Sequence, residues 1–213
     1  MKLTREIAEF EAEKQRSHAR DVLDMIDLTT ADLVATGIAE KALKPGDAAP
    51  DFTLPDALGN PVAARDLLKD GPVIVNFYRG SWCPYCNLEL RAYQRELPRI
   101  REMGAALVAI SPMVPDESMT VKEKNALEFP VLSDVGLSVA DAFGLVFTVD
   151  PRIQEMYLTR LGNDLPKLNG DDTFRLPMAA TYVIGADGKI KYAYVEEDYR
   201  VRADPEEVIA ALD

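Results

Sequence analysis

Two cysteines stand three positions apart in Trp82-Cys83-Pro84-Tyr85-Cys86, and the chain of 213 residues has no others. Sulfurs one helical turn apart can close and reopen a disulfide. The chemistry within reach is therefore thiol–disulfide exchange, or attack of a thiolate on an electrophile. The alternatives are half of a zinc site and a pair of inert structural thiols. Zinc needs about four ligands, and beyond the cysteines the sequence has one histidine, His18, far away in a segment of helical pattern that reads as exposed. No metal and no cofactor are expected. In a reducing compartment an isolated Cys-x-x-Cys is more naturally catalytic than structural.

The flanking residues must place those sulfurs. Val73-Ile74-Val75-Asn76-Phe77-Tyr78 follows Asp70-Gly71-Pro72 and has the apolar, β-branched character of a buried central strand. Beyond Cys86, the spacing of Leu90, Tyr93 and Leu97 predicts a helix reaching about Met103. The order is strand, loop, Cys-x-x-Cys, helix. Cys83 falls at the cap position and Pro84 at the first helical position, where its missing N–H costs nothing. The first N–H groups of a helix lack backbone partners and carry partial positive charge, which stabilises a thiolate placed there. Arg79 is the candidate for added positive potential, Trp82 borders an open approach, and Pro84 and Tyr85 complete the set of supporting residues. On these grounds Cys83 is expected to attack and Cys86, one turn nearer the core, to resolve.

The segment from Phe77 to Cys86 resembles the active-site stretch of the thioredoxin-fold superfamily. Residues 43–212 resemble the peroxiredoxin-like branch of the alkyl hydroperoxide reductase/thiol-specific antioxidant (AhpC/TSA) family. Further points of resemblance are Pro45-Gly46-Asp47-Ala48-Ala49-Pro50-Asp51-Phe52-Thr53-Leu54, Phe129-Pro130-Val131-Leu132-Ser133-Asp134, Ala180-Thr181-Tyr182-Val183-Ile184 and Asp187-Gly188-Lys189-Ile190. The resemblance implies an α/β thioredoxin-like fold, a central mixed sheet flanked by helices. It also implies a thiol-dependent peroxidase acting on hydrogen peroxide or organic hydroperoxides, or alternatively a thiol–disulfide oxidoreductase acting on protein or glutathione disulfides. Thioredoxin, glutaredoxin or glutathione would be the reductant. A binding module without turnover is a third possibility, disfavoured by the retained dithiol. The sequence departs from the family pattern twice. The peroxiredoxin loop Pro-x-x-x-Thr/Ser-x-x-Cys, laid on this chain, puts Arg79 at the Pro and Cys83 at the Thr, and makes Cys86 the peroxidatic residue. The thioredoxin frame makes Cys83 the attacking thiol instead. The second departure is Ala179, which occupies the position of the cis-proline that faces thioredoxin-fold active sites. A trans bond, or a shifted loop with Pro177, is expected there, because a non-proline cis bond costs about 2.5–4 kcal/mol.

Composition sets the outer bounds. The chain is 47% hydrophobic, with no tract approaching the roughly 18 apolar residues of a membrane span and no signal-peptide core at its start; a cytoplasmic location is expected. A formal charge of −12 argues against nucleic acid and anionic membranes as partners. Residues 1–42 read as a helical extension on a domain of 43–213. An apolar stripe at Leu3, Ile7, Phe10, Val22, Met25 and Ile26 gives one helix to about residue 28, and Thr29-Thr30-Ala31-Asp32 caps a second that stops at Gly37. That stripe is expected to pack across a homodimer interface. Residues 150–175 read as an insertion, one short helix over 152–161 followed by a polar loop containing Asp171-Asp172. A hairpin over 181–195 and a helix over 204–212, capped by Asp204, close the chain.

Overall fold

A strand of five buried residues organises the molecule, as its apolar, β-branched sequence requires. The structure, a computed structural model, describes residues 2–212. It begins with two helices, α1 (Leu3–Ser17) and α2 (Arg20–Ala35). The break between them falls at His18 and Ala19, both extended, and not at the predicted cap near Thr29. Thr29 lies inside α2, where its hydroxyl donates to the Met25 carbonyl at 2.9 Å, so its polar group is satisfied without ending the helix. The turn at His18 lets the two helices cover different surfaces. From α1, Ile7 and Phe10 pack on the core that contains Tyr85 and Leu97. From α2, Val22 and Ile26 join Val149, Ile153 and Tyr157. The chain itself therefore covers the apolar stripe, and the expectation of a homodimer loses the observation that motivated it. Gly37 then ends the pair in the left-handed region, at φ +60°.

A short hairpin, β1 (Thr53–Pro55) and β2 (Pro61–Ala63), precedes α3 (Ala64–Leu67) and the central strand β3 (Val73–Phe77). Then come α4 (Pro84–Glu102), β4 (Ala106–Ser111), α5 (Pro115–Lys124), β5 (Val131–Ser133) and α6 (Ser138–Ala142). The expected polar loop of the insertion is more ordered than its composition suggests. A neck of antiparallel strands, β6 (Val146–Thr148) and β7 (Arg175–Pro177), encloses two helices, α7 (Pro151–Thr159) and α8 (Leu165–Asn169). The second helix follows Asp164, whose carboxylate accepts from the Lys167 N–H, with Pro166 in its first turn. Those two residues were the local signal for it. The chain ends with β8 (Ala180–Ile184), β9 (Ile190–Val195) and α9 (Pro205–Ala210), which Asp204 caps.

The main sheet has the order β5-β4-β3-β8-β9. Strands β3, β4 and β5 are parallel, while β8 runs antiparallel to both of its neighbours. The pleat of β3 sends alternate side chains to opposite cores. Val73, Val75 and Phe77 join Phe143 and Tyr182 on one face, and Ile74 joins Leu90 and Tyr93 of α4 on the other. The described residues contain no cis peptide bond, so the bond before Ala179 is trans. Among them no helix is long and apolar enough to cross a membrane.

Candidate active site

The loop from β3 to α4 delivers the sulfurs, and its backbone is tied down at several points. Ser81 N–H meets Met113 Sδ at 3.1 Å, and Cys83 N–H donates to the Gly80 carbonyl. Asn87, on the first turn of α4, donates to the Ser81 and Cys83 carbonyls at 2.8 and 2.9 Å and in turn accepts from Asn125. Cys83 occupies the cap position of α4 with extended backbone, and Pro84 begins the helix, as the sequence predicts.

Both cysteines are free thiols, and both are buried: Cys83 is 1% exposed and Cys86 fully enclosed. This corrects the expectation of an open approach to Cys83. Helices α1 and α2 and the insertion close over it, leaving a cavity of about 210 Å³ onto which Cys83 opens and Cys86 does not. His18, excluded from the site by its distance in sequence, stands on the lining of that cavity.

The supporting residues are brought together in an aromatic and cationic cluster. The Arg79 guanidinium is stacked 3.9 Å from the Tyr199 ring and 4.8 Å from that of Trp82, and it donates to the Tyr157 hydroxyl at 2.5 Å. The half-buried Trp82 packs edge-on against Tyr157, with ring centroids 5.1 Å apart. Tyr85 lies between Phe10 and Tyr199 and accepts a hydrogen bond from the buried Lys14 ammonium at 2.9 Å. Pro84 is exposed. Ala179 is buried next to Ala180, which pairs with Phe77 at the end of β3.

Sequence reasoning missed the second cation. Arg202, on the segment after β9, reaches back to place Nη2 3.5 Å from Cys86 Sγ while Nε donates to the Glu89 carboxylate at 2.8 Å. Both side chains of this pair are almost wholly buried. Glu89 had a local signal, since an acid three residues after Cys86 and four before Tyr93 falls on the apolar stripe of α4. Arg202 had none. Burial pushes the Cys83 thiol up, but a hydrogen bond from Cys86 and the charges of Arg79 and Arg202 outweigh it and hold Cys83 down at about 6. Burial, the hydrogen bond to Cys83 and the nearby Cys83 charge drive Cys86 the other way, well above an ordinary thiol. Burial also raises Glu89 to about 7 against the pull of Arg202. The two sulfurs are thus driven apart, Cys83 toward the thiolate and Cys86 toward the thiol.

A mixed sheet whose central strand leads into a helix capped by a Cys-Pro-Tyr-Cys pair defines the thioredoxin-fold oxidoreductases. Within that class, residues 45–193 match the AhpC/TSA family, and the chain belongs to it. A putative peroxiredoxin of Mycobacterium tuberculosis is 33% identical over 161 residues, covering 76% of this chain and 88% of that protein. The crystal structure of Peroxidoxin BcpB from Mycobacterium tuberculosis superposes with a TM-score of 0.62 at 27% identity, over 80% of this chain and 96% of the other. The thiol-disulfide oxidoreductase ResA of Halalkalibacterium halodurans is 32% identical over 111 residues, half of this chain and 61% of ResA. The family match excludes α1, α2, Tyr199 and Arg202. The part of the cover over Cys83 that α1 and α2 supply, and the cation at Cys86, therefore come from outside the matched stretch.

Proposed function

We propose that this protein is a thiol-dependent peroxidase in which Cys83 attacks and Cys86 resolves. The supporting observation is that the sulfur opening onto the cavity is also the one held as a thiolate. Cys83 thiolate attacks the terminal oxygen of a hydroperoxide; the O–O bond breaks, the alkoxide or hydroxide leaves and takes a proton from solvent as alcohol or water, and Cys83 becomes a sulfenic acid. Cys86 then attacks that sulfur, hydroxide leaves and takes the Cys86 proton as water, and the Cys83–Cys86 disulfide forms. Arg202 faces Cys86 and lowers the cost of charge there as its proton departs. The similarity to ResA favours a second reading, exchange with a disulfide substrate through the same Cys83 thiolate.

Single Cys→Ser variants test the assignment. The rate of iodoacetamide alkylation of Cys86→Ser should rise through a pH near that of the Cys83 thiolate, well below the usual thiol range of about 8.5, and one equivalent of peroxide should give a sulfenic acid at Cys83. Fast sulfenic acid formation in Cys83→Ser, with none in Cys86→Ser, reverses the roles. Wild-type protein treated with peroxide should lose two hydrogens within one peptide containing both cysteines.

A further inference from the structure

The cavity at Cys83 is charged opposite to the molecule that holds it. The chain carries −12 with its histidine neutral, yet no Asp or Glu lines this cavity among the described residues, while two cations do, Arg79 and Lys14, the second ion-paired to Glu11 at 3.0 Å. Acidic groups are sorted to the other side of Arg79, Tyr157 and Tyr199, where Asp32, Asp150 and Glu197 line a neighbouring cavity of about 310 Å³. Arg79 is 4% exposed, and no carboxylate lies within ion-pair distance of it among the described residues. Its one polar partner is the neutral Tyr157 hydroxyl, and its Nε has none. A buried cation without an anion is strongly disfavoured, and aromatic faces recover only part of the loss. In the dithiol state the anion is the Cys83 thiolate. Once the Cys83–Cys86 disulfide forms, that charge is gone and Arg79 faces the cavity with aromatic partners alone. The oxidised protein lacks an anion that the reduced protein carries within itself.

We propose that the Cys83–Cys86 disulfide is reduced by a small thiol bearing a carboxylate, which seats its carboxylate on Arg79 and Lys14 and its carbon skeleton against Phe10, Trp82 and Tyr85. This rests on the dithiol cycle proposed above. Lys14 donates to Tyr85 and to Glu11, which leaves one of its three N–H groups for the ligand. The 1% exposure of Cys83 favours a small molecule over a protein thiol. The thiolate of the first molecule attacks Cys83 Sγ, and the Cys83–Cys86 bond breaks with its electron pair leaving on Cys86, which takes up a proton. A second thiolate attacks the outer sulfur of the mixed disulfide, releasing a small-molecule disulfide and the Cys83 thiolate. Two thiols are oxidised and one disulfide is reduced. The restored thiolate then competes with carboxylate for Arg79, which promotes release of the product.

Stopped-flow reduction of the oxidised wild-type protein by 3-mercaptopropionate, 2-mercaptoethanol and 2-mercaptoethylamine, compared at equal thiolate concentration, reads the charge preference directly. The anionic thiol should be fastest, by about tenfold over the neutral one, and the cationic thiol slowest. That order is the reverse of the one the overall charge imposes. Propionate, which has no thiol, should slow reduction by 2-mercaptoethanol, and Arg79→Gln should collapse the order. Equal rates, a cation-first order, or thioredoxin outrunning all three small thiols with no preference among them would overturn the proposal. If peroxide forms no disulfide, the peroxidase reading fails separately. The disulfide can then be made with diamide and the same order measured.

Discussion

Arg202 and Glu89 act on the dithiol in opposite directions, although they form one ion pair. Arg202 lowers both thiols toward their charged forms, whereas charge on Cys86 raises Glu89, so the two anions disfavour one another at this distance. Anything that stabilises the thiolate stabilises the reduced protein and makes its disulfide the stronger oxidant. Arg202→Gln should therefore lower the reduction potential and Glu89→Gln raise it, each by tens of millivolts, since about 30 mV corresponds to a tenfold change for a two-electron couple. Equilibration against a glutathione redox buffer measures both. Shifts of the same sign in the two variants would show that the pair acts only by holding the structure together. Arg202→Gln should also cost about 3–5 kcal/mol of stability, because it leaves Glu89 buried without its cation.

The unit that aims Cys83 is the connection between β3 and α4, and its geometry depends on Gly80. That residue sits at φ +152°, a conformation L side chains rarely adopt. A Cβ there would press on the Trp82 indole nitrogen and lie 2.8 Å from Trp82 Cδ1 and 3.2 Å from Met113 Sδ. Met113 is the atom that receives the Ser81 N–H, so the clash spreads along the loop. Gly80→Ala should destabilise the protein by about 1–3 kcal/mol and push Trp82 off Arg79. A lower denaturation midpoint, together with slower oxidation of Cys83 by peroxide, is the expected result. An unchanged midpoint and rate would mean that the loop repacks around the added methyl group.

At the scale of the molecule, α1 and α2 decide who can reach the sulfurs. Ion pairs link them to the rest of the chain, Glu6 to Arg95 at 2.6 Å, Asp21 to Arg160 at 3.1 Å and Asp27 to Arg200 at 2.6 Å. Pairs of this kind, open to solvent on at least one side, contribute about 0–1 kcal/mol each. The buried Leu3, Val22, Leu23 and Ile26 contribute more, about 1.5–3 kcal/mol apiece, so apolar burial holds the arm in place. In the full-length protein Cys83 should react with iodoacetamide far faster than with a maleimide carrying a long polyethylene glycol chain. Deleting residues 1–36 should abolish that discrimination and lower the melting temperature. Equal rates for the two reagents in the full-length chain would show that the arm does not guard the site.

The sequence alone determined the dithiol, the strand that leads to it, the helix that Cys83 caps and the mixed α/β architecture. The first three rest on short-range chemistry, a continuous apolar, β-branched run in Val73–Phe77, helical spacing after Cys86, and a proline where a helix begins; the architecture rests on the resemblance to the AhpC/TSA family. The course of the arm and the second helix of the insertion were less legible, because Thr29 and Asp164 each carry a local signal that packing either overrides or completes. Only the tertiary structure decided that Cys83 is enclosed, that Lys14 meets Tyr85 across 71 residues and that Arg202 meets Cys86 across 116. No periodicity relates residues so far apart. The charge state of a sulfur depends on the cations and the burial that folding brings to it, and those neighbours exist only once the sheet has placed the ends of its strands together.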